Sequence, residues 1–180
     1  MKVYVMRHGT TVWNEKGITQ GISNNRLSLS GKKLAQNCAL KFKDVHFDVI
    51  FASPLMRTMQ TANLMNRYHS VKITKDKRLI EIDQGIFTGK SKNDLTEEEK
   101  KLKFERSKEC GMESYESVNQ RVREFVKELN ANKNYDNVLI VTHNVTASLI
   151  ACALQGVKVD YTNSTHLRSF DNAEVRCFEI

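Results

Sequence analysis

Apolar positions along this chain fall into short blocks with two rhythms. Val3-Tyr4-Val5-Met6, Val49-Ile50-Phe51, Val71 to Ile73 and Val138 to Val141 are compact apolar runs of strand length. Between them the spacing becomes helical. Ser30 reads as an N-cap for a helix carrying Leu34, Cys38 and Phe42. Ser53-Pro54 reads as the cap and first position of a second helix, with Leu55, Met59 and Ala62 on its apolar face. Ser114 or Ser117 opens a strong helix with Val118, Val122, Phe125, Val126 and Leu129 on one side. A last helix carries Val145, Leu149 and Cys152, and residues 168–180 alternate as an edge or penultimate strand. Residues 84–111 are charged and weakly amphipathic. Glu97 with Lys101 and Glu99 with Lys103 stand at i,i+4 spacing, so a solvated helix is expected there, within a candidate lid at about 84–114.

Strands alternating with helices predict an α/β fold, a three-layer α/β/α sandwich around a mostly parallel sheet. A chain of 180 residues fits one domain spanning 1–180. In such folds ligands bind outside the carboxyl ends of the strands. Charged residues placed just after each strand are therefore the candidate site. Arg7 and His8 follow the first strand, Ser53 and Arg57 the second, Glu81 the third, and Thr142 and His143 the fourth. A histidine can act as a nucleophile near neutral pH, and arginine holds phosphate in a fixed fork. Arg57 and His143 also fall near predicted helix N-termini, where backbone amides favour an anion.

Composition narrows the picture. The apolar and charged fractions, 40% and 27%, are those of an ordinary globular domain, and no apolar run approaches membrane-spanning length. The N-terminus runs straight into a strand, without the pattern of a secretory leader. Cys38, Cys110, Cys152 and Cys177 are far apart, which suits free thiols and a cytoplasmic location. The histidines at 8, 46, 69, 143 and 166 show no ligand spacing with them, so no metal site and no cofactor are expected. The net charge of +7 fits a solvated basic surface or attraction of small anions. Nucleic acid ranks last, because no basic stripe with interleaved aromatics is present. No membrane partner is expected, and a homodimer is left open.

Arg7-His8-Gly9-Thr10-Thr11-Val12-Trp13-Asn14, continued by Gln20-Gly21, Leu27, Leu29 and Gly31, resembles the opening signature of the histidine phosphatase superfamily, which includes the phosphoglycerate mutases. Ser53-Pro54-Leu55-Met56-Arg57 with Thr61-Ala62 resembles its second block. Arg78-Leu79-Ile80-Glu81 with Gly85 and Gly89 resembles the block of its proton donor. Glu113-Ser114 with Arg121-Val122 resembles its central helix, and Val141-Thr142-His143 its second histidine. One position departs: Asn144 stands where the family usually has glycine.

The resemblance implies a phosphoglycerate mutase-like fold and catalysis through phosphohistidine. His8 would attack phosphorus. Arg7, Arg57 and His143 would clamp the equatorial oxygens, with His143 protonated by its anionic surroundings. Glu81 would protonate the leaving alcohol and then activate water. Asn14, the Gln20-Gly21 backbone and Asn144 would complete the pocket. The substrate is then a small phosphorylated metabolite. Trp13, Lys90, Lys92, Met112 and Tyr115 are candidates for contacting its remainder. Three activities stay open: a phosphomonoester phosphatase (α-ribazole phosphatase among them), a mutase, and a non-catalytic phospho-ligand binder. Retention of both His8 and Glu81 speaks against the binder. Without the tail and insertions that shield the mutases' phosphoenzyme, the chain is expected to hydrolyse.

Overall fold

The computed structural model describes residues 1–106, 108–161 and 167–180. Among these residues five strands form one sheet: β1 (Lys2–Arg7), β2 (Val49–Ala52), β3 (Lys72–Lys75), β4 (Asn137–Thr142) and β5 (Val175–Glu179), in the order β3-β2-β4-β1-β5. The first four run parallel, and β5 closes the edge antiparallel to β1. Among the described residues six α-helices accompany them: α1 (Val12–Glu15), α2 (Leu29–Lys41), α3 (Met56–Met65), α4 (Glu97–Glu105), α5 (Tyr115–Ala131) and α6 (Asn144–Leu154).

Alternation along the strands assigns the two faces. Val3, Val5, Val49, Val138 and Ile140 pack with the apolar side of α5 and with Leu149 and Ile150 of α6. Met6, Ile50, Ala52, Leu139 and Val141 pack with Cys38, Ala39, Ala62 and Met65 of α2 and α3. Helices thus cover both faces, as the alternating pattern predicts. A third, separate cluster of Phe87, Leu95, Cys110 and Met112, with Leu102 against it, lies in the segment after β3. Among the described residues no helix is long and apolar enough to cross a membrane.

Two helix starts differ from the sequence expectation. The cap of α2 is Ser28, whose side chain accepts from Gly31 N, while Ser30 donates to Glu15. The buried side of α2 is accordingly Gly31, Ala35, Cys38 and Ala39, and Leu34 faces solvent. Likewise, α3 begins at Met56 rather than at Ser53-Pro54. Ser53 is taken by a histidine, and Met56 N is capped from afar by Asn24 Oδ1 at 2.7 Å. Ser114 caps α5 as expected. On α4 the two i,i+4 pairs do not form: Glu97 pairs with Lys100, and Glu99 caps its own helix and pairs with Lys90.

Candidate active site

Parallel pairing of Arg7 with Thr142 makes His8 and His143 the next residues out of two neighbouring strands. Their rings stand 5.2 Å apart. The same register sets Ser53, just beyond β2, within 2.9 Å of His143 Nε2.

The tautomers follow from the partners. His8 Nδ1 lies 2.7 Å from Gly9 O, and a carbonyl only accepts, so Nδ1 carries the proton. His8 Nε2 is left as a lone pair, and it accepts from Arg57 Nε at 3.2 Å. Arg57 Nε also lies 3.2 Å from His143 Nδ1, which makes that nitrogen an acceptor and directs His143 Nε2–H to Ser53. One guanidinium N–H is therefore shared by both imidazoles. Gly9 N donates to Thr61 Oγ1 at 3.0 Å, tying the His8 turn to α3. Gly31 is required beside it: a Cβ there would stand 1.9 Å from Thr10 O.

Burial and the neighbouring guanidiniums keep both rings neutral. His8 and His143 are 3% and 0% exposed, and burial is the main cause holding both well below the ordinary imidazole value. Arg57 and Arg7 push in the same direction. The groups that the protein itself sets around His143 are cationic rather than anionic, so its expected protonation requires a bound anion. Arg57, 1% exposed, is itself lowered to about 10 by burial, against the pull of Glu81. It tolerates burial because its other nitrogens are satisfied, NH1 by Ser23 O at 2.6 Å and NH2 by Gly21 O at 2.8 Å. Gly21, expected to offer backbone to a ligand, lines the cleft and holds Arg57 through its carbonyl. Arg7 donates to Phe170 O at 2.6 Å, and its buried Nε has no partner among the described residues.

Glu81 faces the histidines from the segment after β3. Thr142 and Thr146 hydroxyls pin Leu79 O and Ile80 O, fixing that segment against β4 and α6. Its carboxylate accepts from Ile82 N, from Val145 N, and from both the amide and the hydroxyl of Thr146. The open amides of α6 are therefore used by Glu81. Asn144 turns its Oδ1 to Ser169 Oγ and Phe170 N, bracing the loop whose Phe170 O holds Arg7. Asn14 Oδ1 closes the cap of α1, and Gln20 Oε1 accepts from Thr11. Glu113 and Arg121 pair with each other behind the site, and Arg121 reaches Arg78 O.

These residues surround a cleft of about 590 Å³. Arg7, His8, Asn14, Gln20, Gly21, Arg57, Glu81 and Asn144 line it, and His143 lies behind Arg57, outside its walls. The opposite wall comes from the segment after β3. Lys92 and Tyr115 of the sequence candidates are there. Met112 is buried in the third apolar cluster, Lys90 pairs with Glu99, and Trp13 packs near Gly89. Lys100, Lys103, Phe104, Arg106 and Gln84 also line it and were not among the expected residues. The 100, 103, 104 spacing was a helical-face signal that could have found them. Among the described residues no group of three His, Cys, Asp or Glu side chains could hold a metal ion; His166 lies outside the described residues.

A lone pair on a buried imidazole, between two guanidiniums and opposite a carboxylate, is an arrangement for accepting and releasing a phosphoryl group. Comparison with known proteins agrees. The chain is 33% identical over 168 residues to phosphoserine phosphatase 1 of Hydrogenobacter thermophilus, covering 87% of this chain and 77% of that one. It is 26% identical over 163 residues to a probable phosphoglycerate mutase of Salmonella paratyphi A, covering 87% and 76%. The crystal structure of the α-ribazole phosphatase from Shigella flexneri superposes with a TM-score of 0.88 at 26% identity, over 100% of this chain and 91% of that one. The model of the histidine phosphatase superfamily (branch 1) matches residues 3–180, and the chain belongs to that family.

Proposed function

We propose that this protein is a phosphomonoester phosphatase that works through a phosphohistidine on His8. The observation that carries it is the tautomer: Gly9 O holds the proton on Nδ1 and leaves the Nε2 lone pair among Arg57, Arg7 and Glu81. In this reading His8 Nε2 bonds to phosphorus as the bond from phosphorus to the alcohol oxygen breaks, and Glu81 gives the departing oxygen its proton. Glu81 then takes a proton from water, whose oxygen displaces His8 and releases phosphate. Arg7, through its unpartnered Nε, and Arg57 neutralise the phosphoryl charge. An arriving oxyanion replaces the shared 3.2 Å contacts of Arg57 Nε with stronger charge-assisted ones. His143, whose Nδ1 lone pair meets Arg57 Nε just behind the cleft, takes up a proton as the anion binds. Asn14, Gln20, Gly21 and Asn144 shape the pocket, the segment 84–114 covers it within one domain spanning the chain, and the setting is cytoplasmic.

Phosphoserine, α-ribazole phosphate, sugar phosphates and phosphoglycerates form the panel suggested by the named relatives. Phosphate release from one or more of them in chelator, abolished in His8→Ala, is the expected result. Release that survives His8→Ala would overturn the mechanism. Because several relatives are named as phosphoglycerate mutases, the same assay follows isomerisation, and isomerised phosphoglycerate forming faster than free phosphate would replace hydrolysis with transfer.

A further inference from the structure

Asn144 opens α6 at the position where this chain departs from the family's usual glycine. Its Oδ1 accepts from Ser169 Oγ and from Phe170 N, both at 2.9 Å. A backbone N–H only donates, so the oxygen of the amide, not its nitrogen, faces the 168–174 loop. Phe170 is fully buried, and its N–H depends on that oxygen. The same residue turns its carbonyl to Arg7, accepting from Nη1 at 2.6 Å. With Nη1 engaged, Arg7 offers the cleft the Nε edge of its guanidinium, and Nε has no partner among the described residues. The loop grips the reaction centre at two further points. Asn172 Nδ2 donates to His8 O at 3.0 Å, and Ala173 N donates to Arg7 O at 3.1 Å. From the other side Arg176 lies 3.7 Å over the Phe170 ring and donates to Ser169 O. A chain of contacts therefore runs from Asn144 through Phe170 to Arg7, and a glycine at 144 would carry no acceptor to begin it.

We propose that Asn144 is a positioning residue for Arg7: acting through Phe170, it fixes the guanidinium so that the Nε edge meets the phosphoryl oxygens. The assignment deepens the phosphatase reading and rests on it for the chemistry that Arg7 serves. A free arginine side chain loses much rotamer freedom when it grips an anion. Pinning one nitrogen to a carbonyl removes that freedom beforehand, so more of the contact appears as affinity. The same preorganisation stabilises charge in the transition state. Loss of the Asn144 oxygen leaves a buried N–H without an acceptor. The loop then shifts to satisfy Phe170 N, and Phe170 O leaves Arg7 with it.

A double-mutant cycle on binding tests it without turnover. Orthovanadate is the probe, because it takes the five-coordinate geometry of phosphoryl transfer and binds tightly enough to be measured in weakened variants. Calorimetry compares wild type, Asn144→Ala, Arg7→Met and the double variant. Asn144→Ala should weaken binding about tenfold, the worth of one charge-assisted contact. In the Arg7→Met background the same substitution should change affinity less than about twofold, because the residue it acts through is gone. Asn144→Gly, which installs the family's usual residue, should lose affinity as Asn144→Ala does. Thermal melts report folding, and Asn144→Gly or Arg7→Gln serves where the first choice is not folded. Asp48→Ala is the control for stability alone. Asp48 accepts from Asp136 N and Asn137 N at the end of the sheet away from the cleft, so its loss should lower the melting temperature and leave vanadate affinity unchanged. Undiminished affinity in a folded Asn144 variant would overturn the assignment. An equal loss in both backgrounds would overturn it too, since Asn144 would then act without Arg7. If the cycle shows the coupling but no ester releases phosphate, the phosphatase reading falls and the positioning role stands.

Discussion

Two buried neutral histidines make the folded state sensitive to mild acid. In the folded protein His8 and His143 hold their protons more weakly than in the unfolded chain, chiefly through burial and then through Arg57. Below the ordinary imidazole value, about 6.5, the unfolded chain binds protons that the folded one refuses. Stability is therefore fully present above that value and falls as pH drops below it. At one pH unit below, each refused proton costs about 1.4 kcal/mol, so the pair costs ~2.8 kcal/mol. His69, lowered by burial and by His46, adds to the slope, so the comparison must isolate the pair. Urea unfolding from pH 7.5 to 5.5 on wild type, His143→Asn and the His8→Asn, His143→Asn double variant does so. Each substitution should shift the midpoint at pH 7.5 and flatten the pH slope, the double variant most. An unchanged slope in the double variant would refute the reasoning. Saturating phosphate should also flatten the wild-type slope, because the bound anion raises both rings toward protonation.

Other outcomes follow from single contacts. Glu81→Gln should lower kcat by about 10²- to 10⁴-fold while phosphate still binds, measured by steady-state kinetics and calorimetry. Thr61→Val leaves the buried Gly9 N–H without its acceptor and should cost about 1–3 kcal/mol in urea unfolding. Asn24→Ala removes the distant cap of α3 and should cost about 1 kcal/mol by the same measurement. Gly31→Ala drives a methyl into Thr10 O and should lower the melting temperature by several degrees, with loss of ligand binding through the displaced His8 turn.

The strands, the layer order and the set of residues at the strand ends were legible because parallel strands buried on both faces read as short continuous apolar runs and a parallel sheet gathers its C-terminal ends on one side. Helix starts were less so. Ser53 resembles a cap until His143 claims it, and the true cap of α3, Asn24, lies 32 residues away in sequence. The cationic wall was missed because Glu97, Glu99, Lys101 and Lys103 look self-neutralising at i,i+4 spacing. Lys90 captures Glu99 and Thr19 captures Lys103, and neither contact is local to the helix. The charge state of His143 depended on which ions surround it, which spacing does not encode.

The Phe87, Leu95, Cys110 and Met112 cluster packs apart from the two clusters that flank the sheet. A descendant or a designer can therefore rewrite residues of α4 for a new metabolite while the sheet continues to hold His8, Arg57 and Glu81 in register. Innovation in selectivity and maintenance of chemistry are assigned to different pieces of hydrophobic core, so libraries confined to the cleft-facing positions of α4 should yield altered preference with few inactive members.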